Sequence, residues 1–148
     1  MKKIILTLTL LSSLAFSDVK FKFNPTGVVA GIINIKTEID IGDYLSVEPT
    51  ITFIKSQEED GEDYYKMYGI NAYYYFETHK KNGWFASAGA GIYDKPDLEE
   101  DKTYNANIGY LYGAKDDIQF TVEFGALNRG ELTVPMIHIN IGIPFISY

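Results

Sequence analysis

The sequence contains no cysteine, so the chain forms no disulfide and carries no lipoprotein anchor. Beyond residue 17 it also lacks any continuous run of about 18 apolar residues, which excludes a membrane-spanning helix in that part of the chain. Basic residues are few as well. Lys and Arg number 13 against 20 Asp and Glu, and without Lys2 and Lys3 the balance is 11 against 20, a net charge of −9. Nucleic acid needs basic residues to neutralise phosphates, so we expect no nucleic-acid partner.

The first 17 residues have the pattern of a secretory signal peptide. They begin with a basic Met-Lys-Lys, continue with an apolar stretch over residues 4–11, and end with Ala15 and Ser17 at the spacing that a signal peptidase recognises. The stretch is too short to cross a bilayer as a helix. We therefore expect residues 1–17 to be a cleaved signal peptide and residues 18–148 to form one domain.

The segment 136–145 shows the clearest periodicity in the chain. Apolar residues fill every second position, namely Ile137, Ile139, Ile141, Ile143 and Phe145. A period of two predicts an extended strand with one apolar and one polar face. Similar alternation recurs in seven earlier segments, the first and shortest being Val19–Phe23. The sequence therefore predicts eight strands.

The polar faces of these strands indicate what surrounds them. A soluble β-sandwich exposes Lys, Glu and Arg on its outer face. Here the segments 67–76, 83–93, 103–113 and 132–148 contain no Asp, Glu, Lys or Arg. Small polar residues suit a narrow barrel interior, and the apolar face suits lipid, where unpaired backbone amides force a sheet to close. We predict an all-β fold, an eight-stranded antiparallel transmembrane up-and-down β-barrel in a bacterial outer membrane; a secreted soluble barrel is the alternative.

The connections between strands alternate in length, as in membrane barrels. Short connections at 41–43, 78–83 and 114–117 are expected on the periplasmic side, and acidic ones at 56–63 and 94–102 outside the cell. A three-residue loop at 41–43 keeps polar positions facing polar positions across the first hairpin. That loop would set Lys36 opposite Glu48.

Two groups of side chains follow from this arrangement. The predicted barrel-interior polar cluster consists of Asn34, Lys36, Glu38, Glu48, Thr50, Gln119, Thr121, Glu123, His138 and Asn140. The predicted aromatic girdles at the two membrane interfaces consist of Tyr44, Tyr64, Tyr68, Phe76, Trp84, Tyr93, Tyr104, Tyr112 and Phe145. Eight strands leave room for side chains and little else, so we expect an ion-paired, hydrogen-bonded plug. A narrow pathway for ions or small solutes is the alternative.

Three prolines conflict with a closed barrel, because a proline cannot donate to a sheet ladder and the barrel has no edge strand. Pro135 and Pro144 would fit at bulges near the rims. Pro49 has no such explanation.

Several motifs carry a family resemblance. They are Asn24-Pro25-Thr26-Gly27, Gly31-Ile32-Ile33-Asn34, the turn from Asp40 to Ser46, Tyr73-Tyr74-Tyr75-Phe76, Gly83-Trp84-Phe85, Gly109-Tyr110 and the segment from Ile141 to Phe145. Together they resemble the small porin-like outer-membrane β-barrel proteins of Gram-negative bacteria, whose function is uncharacterised. The resemblance implies an outer-membrane location and a barrel fold. We expect a monomer in contact with outer-membrane lipid and lipopolysaccharide. The resemblance also implies a C-terminal signal for the barrel-assembly machinery, assigned to Ile141, Ile143, Phe145 and Tyr148.

The resemblance implies no reaction, and the residues supply no catalytic set. Small outer-membrane barrels that modify lipid A combine a histidine with a serine and a carboxylate. This chain has only His79, in a predicted turn, and His138, which is followed at i+2 by Asn140 rather than by serine. The acidic loop 56–63 does not match the twelve-residue calcium loop. We expect no enzyme, metal or cofactor, and a structural or surface-interaction role through the acidic loops; a narrow channel, and less favourably a lipid A-modifying enzyme, are the alternatives.

Overall fold

The computed structural model of the protein describes residues 18–29, 31–55, 64–78, 82–94, 101–113 and 117–146. The expected signal peptide, residues 1–17, and Tyr148 of the expected assembly signal lie outside the described residues. One short helix and eight strands follow in chain order: β1 Val19–Phe23, α1 Pro25–Val29, β2 Ile32–Asp40, β3 Leu45–Lys55, β4 Tyr64–Tyr75, β5 Gly83–Asp94, β6 Asp101–Tyr112, β7 Gln119–Arg129 and β8 Leu132–Ile146. No helix among the described residues is long and apolar enough to cross a membrane.

The strands form one closed sheet. Each strand pairs antiparallel with the next, and β1 also pairs with β8, with Phe21 opposite Ile143. The predicted eight-stranded antiparallel up-and-down barrel is therefore confirmed. We call the end with the connections that follow β2, β4 and β6 the turn end. The opposite end, with the connections that follow β1, β3, β5 and β7, is the loop end. The connection between β7 and β8 has only two residues, so the expected alternation in length does not extend to it.

Side chains alternate between the outside and the inside of this barrel. In β8, Ile137 is 66% exposed, whereas Asn140 is completely buried. The fully buried set is mainly polar, while the exposed set is rich in isoleucine, phenylalanine and tyrosine. The barrel is thus inverted relative to a soluble protein, with its polar groups in the interior.

The first hairpin differs from the prediction by one residue in its loop. The amide of Ile41 donates to the carbonyl of Leu45 at 2.9 Å, so the ladder continues to Ile41 and the loop is Gly42–Tyr44. Lys36 consequently lies opposite Thr50. The predicted register, with Lys36 opposite Glu48, is wrong by two residues. Because the shift is an even number of residues, both side chains still point inward, as predicted.

The ladder between β2 and β3 is interrupted where Pro49 lies. Pairing runs from Ile32 to Lys36 and resumes at Ile39, so Thr37 and Glu38 have no paired residue on β3. On its other side β3 pairs with β4 without a break, and Pro49 lies opposite Ile70. Since proline has no N–H to donate, the sheet accommodates it by losing bonds on one side only.

The other two prolines lie where the sheet is irregular or unpaired. Pro144 lies opposite Lys20 at a register shift in the pairing of β1 with β8, as expected for a bulge near the rim. Pro135 lies beyond the point where β1 ends, because the last residue of β1, Phe23, pairs with Ile141. On its other side Pro135 lies opposite Ala126 in the unbroken ladder of β7 with β8. The expected bulge is therefore confirmed at Pro144 and wrong at Pro135.

A helical turn, α1, continues the wall where β1 stops, whereas the sequence predicts only a turn at these residues. The side-chain Oδ1 of Asn24 accepts hydrogen bonds from the amide of Gly27 at 2.9 Å and from the hydroxyl of Thr26 at 2.6 Å. Asn24 is thus an N-cap, and Pro25 occupies the first helical position, where its fixed φ fits. The helix packs against β2 and β8.

We predict that Asn24→Ala lowers the free energy of unfolding by about 1 kcal/mol, because it removes the cap of α1. Asn24→Asp should retain most of the stability, since aspartate also caps helices. Urea unfolding of the refolded protein in micelles measures both. The matched control is Asn128→Ala, which removes only an exposed bond to Thr133; equal losses for the two alanine variants would contradict the capping role.

Candidate functional site in the barrel interior

Three buried lysines and three buried carboxylates form an ion-pair cluster in the turn half of the barrel. Its members are Lys20, Lys22, Lys36, Glu38, Asp40 and Glu48. Lys22 bridges two carboxylates, forming an ion pair with Glu38 and lying 3.3 Å from Oε2 of Glu48. Each side chain in the cluster is at most 5% exposed. Charges this deeply buried are tolerated only when they are paired and hydrogen-bonded.

The outer members of the cluster extend it along the barrel axis. The Nζ of Lys36 lies 3.5 Å from Oε1 of Glu48, and the Nζ of Lys20 lies 3.4 Å from Oδ2 of Asp40. Lys36 thus reaches Glu48 diagonally, although Thr50 is the residue opposite it. The long lysine side chain compensates for the shift in register.

Neutral side chains donate hydrogen bonds to one oxygen of each of the two central carboxylates. The hydroxyls of Ser46 and Tyr75 donate to Oε1 of Glu38 at 2.7 and 2.5 Å. The hydroxyl of Tyr73 donates to Oε1 of Glu48 at 2.9 Å. Such bonds to charged acceptors are the stronger kind in proteins.

Aromatic rings fill the remaining space beside the cluster. Tyr73, Tyr75, Phe85 and Leu111 are each at most 2% exposed. The ring of Phe85 lies 5.4 Å from that of Tyr73 and 5.5 Å from that of Tyr75, measured between centroids. The ammonium of Lys22 lies 4.5 Å from the centroid of Tyr73. Phe85 also lies opposite Gly109, whose missing side chain leaves room for the ring. The turn half is therefore a filled tube.

A second polar group lies on β7 and β8. The amide of Asn140 donates to Glu123 at 2.8 Å and to the hydroxyl of Thr121 at 3.2 Å. Glu123 is 2% exposed and lies opposite His138. Among the described residues, no lysine or arginine lies within ion-pair distance of Glu123.

All ten side chains predicted for the interior lie on the inward face of their strands. Asn34 and His138 are half-buried, and the other eight are buried. The structure adds residues that the sequence analysis did not single out for the interior: Lys20, Lys22, Asp40, Ser46, Tyr73, Tyr75, Phe85 and Leu111. In β1, Lys20 and Lys22 alternate with the apolar residues Val19, Phe21 and Phe23. This alternation in the sequence already indicates that the two lysines point into the barrel.

The loop half of the barrel contains a cavity of about 490 Å³. Inward-facing apolar side chains line part of it, namely Ile32, Ile54, Met67, Leu127 and Met136. Polar side chains nearer the ion-pair cluster line the rest, among them Asn34, Lys36, Thr50, Asn71, Glu123 and His138. The interior is therefore packed in one half and open in the other, where the sequence analysis expected one continuous plug.

Three residues that line the cavity each carry a buried polar atom with no hydrogen-bond partner in the described part of the chain. These atoms are Oδ1 of Asn34, Oγ1 of Thr50 and Oγ1 of Thr52. Asn34 lies opposite Thr52, and Thr50 is the next inward position on the same strand. They form one continuous patch on β2 and β3.

Beside α1 the wall of the cavity is not made of paired strands. Above the pair of Phe23 and Ile141, strand β8 has no neighbour in β1, and α1 lies there instead. Both Gly27 of α1 and Ile137, on the outer face of β8, line the cavity. The seam between α1 and β8 is thus a break in the wall of paired strands.

The predicted girdle residues lie on the outside of the barrel, with two exceptions. Tyr44, Tyr68, Phe76, Trp84, Tyr104, Tyr112 and Phe145 are all exposed. The side chain of Tyr64 lies outside the described residues. Tyr93 is wrongly placed by the prediction, because it occupies the same inward face of β5 as Phe85; it lines the cavity, and its ring lies 4.6 Å from the guanidinium carbon of Arg129.

The described members of the predicted assembly signal, Ile141, Ile143 and Phe145, lie on the outer face of β8. Ile143 and Phe145 are exposed there, and Ile141 is half-buried. Recognition by the assembly machinery stays a prediction. In the parts of the chain that the structure describes, no group of three or more His, Cys, Asp or Glu side chains is arranged to hold a metal ion.

Comparison with known proteins supports the fold. No family model matches the sequence. No curated protein matches it either. Among solved structures, the N-terminal β-barrel domain of Pseudomonas aeruginosa OprF is similar, with a TM-score of 0.65 and 12% sequence identity over 87% of this chain and 96% of that chain. The fold resembles that of an outer-membrane β-barrel. At this identity the likeness concerns the fold alone.

We predict that Lys22→Met lowers the free energy of unfolding by about 3–5 kcal/mol, because it leaves Glu38 and Glu48 buried without their shared cation. Lys36→Met should cost less, since Glu48 keeps Lys22 and the bond from Tyr73. Urea unfolding in micelles measures the losses. Lys66→Met, at an exposed position of β4, is the control; a loss for Lys22→Met no larger than for this control would contradict the role of Lys22.

Proposed function

We propose that the protein is an outer-membrane barrel with a structural role, closed to solutes by its ion-pair cluster and presenting acidic loops to the cell exterior. The observation that carries this proposal is the inversion of the barrel, with its charges inside and its apolar side chains outside. The expected signal peptide agrees with export from the cytoplasm.

The outer surface supports contact with lipid. Every strand contributes exposed apolar side chains: Phe21, Ile35, Ile51, Ile70, Ile92, Ile108, Phe124 and Ile137 are each between 40 and 66% exposed. An apolar surface that surrounds a whole molecule is unsuited to water. In lipid the same surface is solvated, and closure of the sheet satisfies the backbone. Lipid and the apolar part of lipopolysaccharide are therefore the partners that this face suits.

The interior supports a closed barrel over a channel. The turn half is filled by paired lysines and carboxylates and by the rings of Tyr73, Tyr75 and Phe85. An ion crossing it would have to separate buried ion pairs, which is costly. The cavity at the loop end therefore ends blindly on this filled half.

The loops support an interaction with the surroundings of the cell. The connection 56–63 holds five acidic residues, and 94–102 is also acidic. Residues 56–63 and 95–100 lie outside the described residues, so this part of the proposal rests on charge. Such loops would repel anionic surfaces and attract basic partners.

We predict that Ile108→Arg lowers the free energy of unfolding in liposomes by about 2–4 kcal/mol, because arginine would lie near the middle of the bilayer. Leu132→Arg is the matched control: it is also exposed on the outside but lies at the rim, where the cost falls to about 0–1 kcal/mol. Equal, small losses at the two positions would contradict contact with lipid.

We predict that the purified barrel gives no discrete current steps in planar bilayers, because the ion-pair cluster fills the turn half. The unheated protein should migrate faster than the heated protein on a gel, which verifies that the sample is folded. Reproducible openings from a sample that passes this check would contradict the closed barrel and favour a narrow channel.

A further inference from the structure

The cavity at the loop end contains polar groups that the fold itself leaves without partners. Thr50 and Thr52 line the cavity and are 7% and 3% exposed, and their buried hydroxyl oxygens have no hydrogen bond from the described residues. Oδ1 of Asn34, opposite Thr52, is in the same state. Buried groups of this kind are normally satisfied, so three in one patch point to a molecule that bonds to them.

The cation nearest this patch is already engaged. Lys36 lies beside Thr50 but forms its ion pair with Glu48, deeper in the barrel. An anionic group entering the cavity would therefore lose its hydration without gaining a free counter-ion. A cationic group would have only Glu123, which lies on β7 and not in the patch, and which accepts a hydrogen bond from Asn140. A neutral polar group would lose less hydration. The patch therefore favours a neutral head that both donates and accepts hydrogen bonds, as a hydroxyl does.

The rest of the cavity suits an apolar body. Ile32, Ile54, Met67, Leu127 and Met136 face it towards the loop end. Its volume of about 490 Å³ falls within the range of about 300–1,000 Å³ that is usual for small-molecule sites. Polar groups at the floor and apolar groups on the walls are complementary to an amphipathic molecule that enters head first.

We propose that this cavity binds a small amphipathic molecule with a neutral hydroxyl head, which bonds to Asn34, Thr50 and Thr52, and an apolar body, which packs between Ile54 and Leu127. The binding goes beyond the proposed structural function and does not depend on it. Only the entry route does: with the barrel in lipid, such a molecule would enter from the bilayer through the seam between α1 and β8, beside the outward-facing Ile137.

The test compares three probes with the same ten-carbon chain and different heads: 1-decanol, decanoate and decylamine. Each is titrated into the refolded protein in micelles, and solution NMR follows the side-chain amide of Asn34 and the backbone amides of Thr50 and Thr52. We expect saturable shifts at these groups with 1-decanol, and at least about tenfold weaker binding of the two charged probes.

Variants identify the binding groups. Thr50→Val and Thr52→Val should each weaken the binding of 1-decanol about twofold to tenfold, the effect of losing one hydrogen bond. The matched control is Thr37→Val on β2, which lies between the inward residues Lys36 and Glu38 and therefore faces outward; its affinity should be unchanged. Leu127→Trp should abolish binding by filling the cavity. The gel-mobility check verifies that each variant is folded.

Three results would overturn the proposal. Absence of saturable shifts with 1-decanol would mean that water satisfies the patch. Equal affinity for all three probes, unaffected by the valine variants, would mean partition of the chain into the barrel without recognition of the head. Tighter binding of decanoate or decylamine would assign the wrong class of head. None of these results depends on conductance or on membrane location, so they are distinct from a failure of the proposed function.

Discussion

The pairing of β1 with both β2 and β8 is the contact on which the rest of the structure depends. This five-residue strand joins the ends of the sheet, so that no strand is left with an unpaired edge at the turn end. Outside, Phe21 packs edge-on against Phe145 at 5.2 Å. Inside, the same strand carries Lys20 and Lys22, the cations that pair with Glu38, Asp40 and Glu48. Closure and the filling of the interior are therefore two consequences of one strand.

The shortness of β1 also divides the interior into two halves. Where β1 is present, its lysines reach across the barrel and the tube is filled. Where β1 ends, a capped helical turn takes its place, the wall has a seam, and the interior holds a cavity. The polar residues between the ion-pair cluster and the cavity mark the boundary between the two halves. The filled turn half supports the fold, and the loop half has room for a ligand. An insertion of only a few residues in β1 would extend the ladder into the seam.

The alternation of apolar and polar residues was sufficient to predict the strands, the closed barrel and the direction of most side chains. It works because one strand residue in two points inward whatever the register. Register depends on finer features: the loop of the first hairpin begins after Ile41, and this moved Thr50 opposite Lys36. The prediction for Tyr93 is wrong because it used only the position of the residue near the end of the strand. Tyr93 is an even number of residues from Phe85, so both side chains point inward.

Other features depend on three-dimensional packing and had weaker signals in the sequence. The motif Asn24-Pro25 fits a helix cap as well as a turn, and only the missing continuation of β1 makes room for α1. Tyr73 and Tyr75 alternate in the sequence with Tyr74 and Phe76, so a run of four aromatic residues does not reveal which two fill the interior. The cavity has no local signature, because its walls come from α1 and from strands at opposite ends of the chain.

Contact between the outer face of the barrel and acyl chains can be measured directly at Trp84, the single tryptophan of the chain. Trp84 lies on the outer face of β5, is 52% exposed and packs edge-on against Tyr110. The measurement is tryptophan fluorescence of the folded protein in liposomes that contain lipids brominated on their acyl chains. We expect strong quenching by these lipids and little quenching by iodide in the water. Efficient quenching by iodide with none by the brominated lipids would contradict contact with lipid.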